Sequence, residues 1–192
     1  GATLSAMAFV DLGRNRLVLK ALVAGPPAVG KSERLWQLGH ASGERRVAEL
    51  GQTPLGPQRM AWLDLEVARE GRPVVLEAYE WHGPERADAR GKGLFTGLDG
   101  LVYIADARPE RQVDTVRQLE FLVGQLGRSR VGRIPSLLAL GRMDEGLARL
   151  STLEPELVGI AWGQRLERPI QDEAGFLEAV RLLGESMLAR VL

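Results

Sequence analysis

One stretch constrains this chain more than any other. Gly25-Pro26-Pro27-Ala28-Val29-Gly30-Lys31-Ser32 fits the pattern Gly-x-x-x-x-Gly-Lys-Ser. The run before it, Leu17 to Ala24, is apolar and predicts a buried strand. The residues after it, Glu33 to Leu38, favour helix, with Leu35 and Leu38 three apart. Strand, glycine loop and helix in that order is the setting in which the pattern cradles phosphate. Gly25 and Gly30 allow backbone conformations and a close approach that a side chain would block. Successive N–H groups then form a nest, and the helix start adds the positive end of its dipole. Lys31 is expected to reach the terminal phosphates of a nucleotide, with Glu33 at the edge of the same site. The Ser32 hydroxyl is an expected ligand of Mg²⁺, a cation that takes oxygen donors and shares phosphates.

The rest of the composition narrows the partners. At 192 residues and 45% hydrophobic, the chain suits one α/β domain spanning residues 1–192. Lys plus Arg and Asp plus Glu number 25 each, so no excess positive charge points to a nucleic-acid partner. With no cysteine there is no disulfide frame, thiolate metal site or cysteine nucleophile. No apolar run reaches the roughly 20 residues that span a bilayer, so no transmembrane segment is expected. Together with a start that lacks a signal sequence, this gives an expectation of the cytoplasm.

Taken in order, Ala8 to Asp11 predicts a short edge strand and Arg16 to Ala24 the first central strand. The first helix runs to about His40. Ala41 to Gln58 is polar, holds Gly and Pro, and reads as a long ordered or switching loop. Met60 to Val67 and Pro73 to Tyr79, joined across Glu70-Gly71-Arg72, predict an antiparallel hairpin. Glu80 to Lys92 reads as loop, with a short helix from about Ala87. Gly100 to Asp106 is a buried strand, and Val113 to Leu126 carries a helical apolar face. Pro135 to Leu140 predicts a strand, Leu147 to Gly159 a helix broken at Pro155, and Arg168 to Gln171 a weak last strand. Phe176 to Val191 bears the stripe of a C-terminal helix. Apart from the extra edge strand at Ala8 to Asp11, the sum is a mixed six-stranded sheet, mostly parallel with one antiparallel hairpin and helices on both faces.

A hairpin directly after the first helix is the arrangement of Ras-like small GTPases within the P-loop NTPase class. The chain resembles that family from about Arg16 to its end, most closely the bacterial MglA-type group of polarity switches. The likeness rests on Gly25–Ser32, on Tyr79-Glu80-Trp81-His82-Gly83, and on Gly97-Leu98-Asp99-Gly100-Leu101-Val102-Tyr103-Ile104-Ala105-Asp106. It implies a GTP/GDP-binding switch with Mg²⁺ and an effector or regulator protein of the roadblock type, with slow hydrolysis expected from Pro84.

The departures from the family pattern matter as much. At the second switch Glu80 stands for the Asp that holds Mg²⁺ through water, and Gly83 fits the glycine that contacts the γ-phosphate. Pro84 stands where a Gln would orient the attacking water, and it has neither donor nor side-chain carbonyl. The Thr of the first switch falls near Met60, with Thr53 the nearest Thr. The guanine motif reads Gly141-Arg142-Met143-Asp144. Asp144 is retained to accept from guanine, Arg142 replaces Lys over the base, and Gly141 loses the Asn contacts. Ala174 is the expected backbone donor after the last strand.

Other residues carry blander expectations. His82 is read as an exposed loop residue, His40 as complementing a helix end, and Asp106 as packing and capping the loop after its strand. Trp81 and Trp62 are candidate partner anchors, Trp62 equally a core residue. Arg45, Arg46 and Arg59 read as solvated, with an internal arginine finger as the sharper alternative. Two readings of another class remain open. One is a degenerate domain that acts as an interaction scaffold without turnover. The other is a phosphotransferase using Arg128, Arg130 and Arg133 as a lid.

Overall fold

The computed structural model describes residues 8–83, 93–141, 160, 162–168 and 171–191. Its centre is three parallel strands that are apolar nearly throughout: β2 (Arg16–Ala24), β6 (Gly100–Asp106) and β7 (Ser136–Gly141). Strands covered on both faces read as continuous apolar runs because neither set of side chains meets water. Leu17, Leu19, Ala21 and Val23 of β2 enter one core, together with Val102, Ile104, Leu137 and Ala139. Leu22 and Ala24 enter the other, with Leu101, Tyr103, Ala105, Leu138 and Leu140. Helices α1 (Lys31–His40) and α4 (Glu173–Leu188) close the first core through Leu35, Leu38, Phe176, Val180 and Leu183. Helix α2 (Gln112–Leu126) closes the second through Leu119, Leu122 and Leu126, and the short α3 (Arg128–Val131) follows it. Among the described residues no helix is long and apolar enough to cross a membrane.

The expected hairpin is present and longer than the apolar pattern suggested. Strands β4 (Gly56–Arg69) and β5 (Arg72–Glu80) are antiparallel and turn over Glu70-Gly71. Both turn residues have positive φ, 51° and 73°, the geometry whose twist matches a two-residue hairpin. Strand β5 then lies parallel to β2. The sheet order is β3 (Val47–Thr53), β4, β5, β2, β6, β7 and β8 (Gln164–Leu166), with β1 (Phe9–Asp11) antiparallel to the first part of β2.

The sheet differs from expectation at its edges. Among the described residues it has eight strands rather than six. Ala41 to Gln58 is not one long loop. Val47–Thr53 forms β3, antiparallel to β4, and the chain turns at Pro54-Leu55. An edge strand needs only its backbone partners on one side, so β3 forms without a strong apolar alternation. The last strand, β8, is Gln164–Leu166, parallel to β7, rather than Arg168 to Gln171. The helix expected over 147–159 and most of the loop expected over 80–92 lie outside the described residues.

Candidate functional site

All the parallel strands run the same way, so the C-terminal ends of β2, β5, β6 and β7 gather at one edge of the sheet. Strand order reverses at β2, with β5 on one side and β6 on the other. Such a switch point leaves a crevice beyond the strand ends. The Gly25–Ser32 segment fills it.

Three positive-φ residues shape this segment: Gly25 (153°), Ala28 (59°) and Gly30 (98°). Pro26 and Pro27 have no amide hydrogen, so donors can come only from Ala28 onward. Gly30 precedes α1 and caps it with no side chain, leaving the first N–H groups of the helix to the loop. The loop is pressed onto the strands beneath. A Cβ on Gly25 would lie 3.1 Å from Val29 Cγ1 and inside the contact distance of the Ile104 carbonyl oxygen. A Cβ on Gly141 would overlap the Val29 carbonyl oxygen and sit 2.8 Å from Val29 Cγ2 and 2.9 Å from Ile104 Cγ2. This accounts for Gly141: the loop backbone occupies the space that an Asn side chain would need.

Lys31 is buried and folds back across the loop. Its ammonium donates to the carbonyl oxygens of Gly25 and Pro26, at 2.7 Å each. An ammonium has three N–H donors, and these bonds use two. Burial lowers its pKa from 10.5 to about 8, and the negative charge of Glu80 opposes that fall only in part. The site therefore holds a cation that is short of counter-charge.

The opposite wall is a row of side chains set by strand register. Met60 pairs with Tyr79 and Glu49 with Arg59, which puts Glu49, Arg59 and Glu80 on successive strands at one level. Glu80 is 1% exposed. Its Oε1 accepts from Ser32 Oγ at 2.6 Å. Arg59 Nη1 donates to Ser32 Oγ at 3.2 Å and lies 3.9 Å from Glu80 Oε2. Arg59 Nη2 lies 3.6 Å from Glu49. Glu80 Oε2 and Arg59 Nε have no hydrogen-bond partner among the described residues. Ser32 and Glu80, the two expected metal ligands, are thus brought together, and each already faces the Arg59 cation. They are oxygen donors of the kind Mg²⁺ takes. As arranged they do not fit it, because the guanidinium stands against the hydroxyl that would coordinate the metal.

Several expectations at this site are corrected. His82 is not an exposed residue; its Nε2 donates to the Pro57 carbonyl oxygen at 2.9 Å and lies 3.7 Å from Glu80 Oε2. Trp81 is buried against Phe95 and Phe121, with ring centroids at 5.8 and 6.2 Å, so it is no exposed anchor. Trp62 is half-buried and donates to Glu77 at 3.2 Å. The Thr53 hydroxyl donates to the Gly56 carbonyl oxygen at the hairpin tip, and Met60 is a core residue. Both lie in β-structure, Thr53 at the end of β3 and Met60 within β4. Arg59 is part of the row rather than solvated. The sequence offered Arg59 only as one of three arginines near the first switch; cross-strand register is what brings it to Ser32.

The remaining candidates are placed as follows. Gly83 is buried, with φ 127°, and a Cβ on it would lie 3.2 Å from Gln118 Nε2 of α2. Glu33 is exposed in the first turn of α1. Ala174 lies in the first turn of α4 rather than in a loop. The approach to α4 is clamped by Arg34, which is 1% exposed. Arg34 lies over the Phe176 ring and donates to the Arg168 and Asp172 carbonyl oxygens, at 3.4 and 3.5 Å. Asp106 is engaged by the backbone and guanidinium of Arg108, so it packs and caps as expected. Arg128, Arg130 and Arg133 precede β7, at the sheet edge opposite the Gly25–Ser32 loop. They cannot close over it as a lid. Arg142 and Asp144 lie outside the described residues. No family model matches the chain, and no curated protein matches it.

Proposed function

We propose that this protein binds a nucleotide through its phosphate tail, as a Ras-like GTP/GDP-binding module of the MglA type with little or no turnover of its own. The observation that carries this reading is the loop at the switch point. Glycine φ values, backbone amides, an uncapped helix start and a buried, under-neutralised Lys31 converge there. The long antiparallel ribbon between α1 and β5 supports the Ras-like form of the fold over other doubly wound arrangements.

The chemistry would be in-line attack of water on the γ-phosphate. The Lys31 ammonium and loop N–H groups would bear the charge that develops, with the Gly83 N–H as a further donor. No side chain at position 84 would orient the water, since Pro84 has neither an N–H donor nor a side-chain carbonyl. Hydrolysis is therefore expected to be slow unless a partner, of the roadblock type by family likeness, supplies a group. Base choice would fall to Arg142 and Asp144, with Ala174 at the start of α4. Mg²⁺ takes no part in this chemistry, because Ser32 and Glu80 as arranged do not fit it. The closed Ser32–Glu80–Arg59 row also favours a second reading: a scaffold whose nucleotide, once bound, is held and not turned over.

Fluorescent GDP, GTP and ATP titrated onto the parent and Lys31→Ala test the reading. Guanine nucleotides are expected to bind the parent more tightly than ATP. The variant should lose about tenfold to a hundredfold in affinity, the worth of a charged hydrogen bond, while its circular dichroism stays that of the parent. Equal affinities in parent and variant would remove the phosphate cradle from consideration.

A further inference from the structure

We propose that the Arg59 guanidinium is a resident counter-cation in the position a divalent metal would take, so that the loop holds a nucleotide's phosphate tail without Mg²⁺. This rests on the reading of Gly25–Ser32 as a phosphate cradle. Arg59 is not a loop residue that swings in. It sits on β4, with Glu49 beside it on β3 and Glu80 beside it on β5. The sheet places the cation before any ligand arrives.

Three observations assign the position. Ser32 Oγ, which would ligate a metal, donates to Glu80 Oε1 at 2.6 Å and accepts from Arg59 Nη1 at 3.2 Å. A metal bound about 2.1 Å from that oxygen would stand beside the guanidinium, and like charges so close exclude one another. Glu80 is 1% exposed, and its cationic neighbours are Arg59 at 3.9 Å and the Lys31 ammonium. The carboxylate thus has counter-charge from the protein itself. Finally, Arg59 Nε–H has no acceptor among the described residues. A buried donor without a partner is costly, and a phosphate oxygen would satisfy it. A planar guanidinium suits phosphate oxygens better than an ammonium does, because its donors lie in a fixed fork. Loop amides and Lys31 would then hold the tail from one side and Arg59 from the other.

The test titrates fluorescent GDP onto the whole chain in Mg²⁺ and in EDTA. Parent affinity is expected to change by less than about threefold between the two. Arg59→Gln, which keeps much of the length and polarity but not the charge, should weaken binding at least about tenfold in EDTA and recover part of it in Mg²⁺. A parent that needs Mg²⁺, or an Arg59→Gln variant as tight as the parent in EDTA, would overturn the proposal. A second arm uses Mn²⁺ alone, followed by its paramagnetic resonance signal. The parent should not bind it and Arg59→Gln should, through the freed Ser32 and Glu80. Mn²⁺ binding by the parent would overturn the counter-cation assignment. Parent protein that binds no GDP in either buffer would instead overturn the cradle reading, while the Mn²⁺ arm still reports on Arg59. Circular dichroism of Arg59→Gln, with Arg59→Lys as a charge-keeping control, separates loss of the fold from loss of the site.

Discussion

The Gly25–Ser32 loop and the ribbon edge at Glu49, Arg59 and Glu80 face the same point but are built by different means. The loop works through backbone. Its glycines let main chain lie directly on Ile104, and Gly141 gives Val29 room, so any added side chain collides. The ribbon works through side chains whose strands merely set their level, and its outer members reach solvent. A backbone site should tolerate almost no substitution beneath it. A side-chain row should tolerate exchange and change its charge chemistry instead.

Gly141→Asn is the hardest test of this contrast, because it installs the residue that the Ras-like pattern carries at this point. If the loop is pressed onto the strand end, the added side chain must displace Val29. Overpacking of this kind is expected to cost about 3 kcal/mol and to weaken nucleotide binding. Denaturant unfolding reads the first effect and GDP titration the second. A variant as stable as the parent that binds GTP more tightly would erase the distinction between the two walls.

A smaller effect sharpens the loop's electrostatics. In the free protein Lys31 loses its proton around pH 8, and a bound polyphosphate would raise that value because opposite charge favours the ammonium. The bound state then carries more protons than the free state above about pH 8, so binding takes up a proton there and affinity falls as pH rises. The expected slope is up to about tenfold per pH unit, and below that pH this group contributes no slope. Calorimetry in two buffers of different ionisation enthalpy measures the uptake. A flat profile up to pH 10 would mean that Lys31 does not meet the phosphates.

The smallest effect lies at the ribbon's far end. Thr53→Ala removes the hydroxyl that donates to the Gly56 carbonyl oxygen. The expected cost is about 1 kcal/mol or less in thermal unfolding, with GDP affinity unchanged. A large loss of affinity would return Thr53 to the role of a switch residue and make the hairpin tip part of the site.

Much of this was legible from residue order. Leu17 to Ala24, Gly100 to Asp106 and Pro135 to Leu140 read as strands because burial on both faces leaves a continuous apolar run. Glu70-Gly71-Arg72 read as a hairpin turn because a few polar residues with a glycine separate two strand-like runs. The edges were less legible. Val47–Thr53 has a weak pattern because half of an edge strand faces water, and Trp81 looked exposed until Phe95 and Phe121 were seen to cover it.

What the chain's own letters determined was the loop, for a reason of local chemistry. Gly25, Gly30, Lys31 and Ser32 do their work within eight consecutive positions between a strand and a helix. What only the tertiary structure decided was the other wall. Glu49, Arg59 and Glu80 lie far apart along the chain and become neighbours only through the register of three strands, and that register also carries a cation to Ser32. Pairing between strands is a long-range property, so no local reading of the sequence contains it.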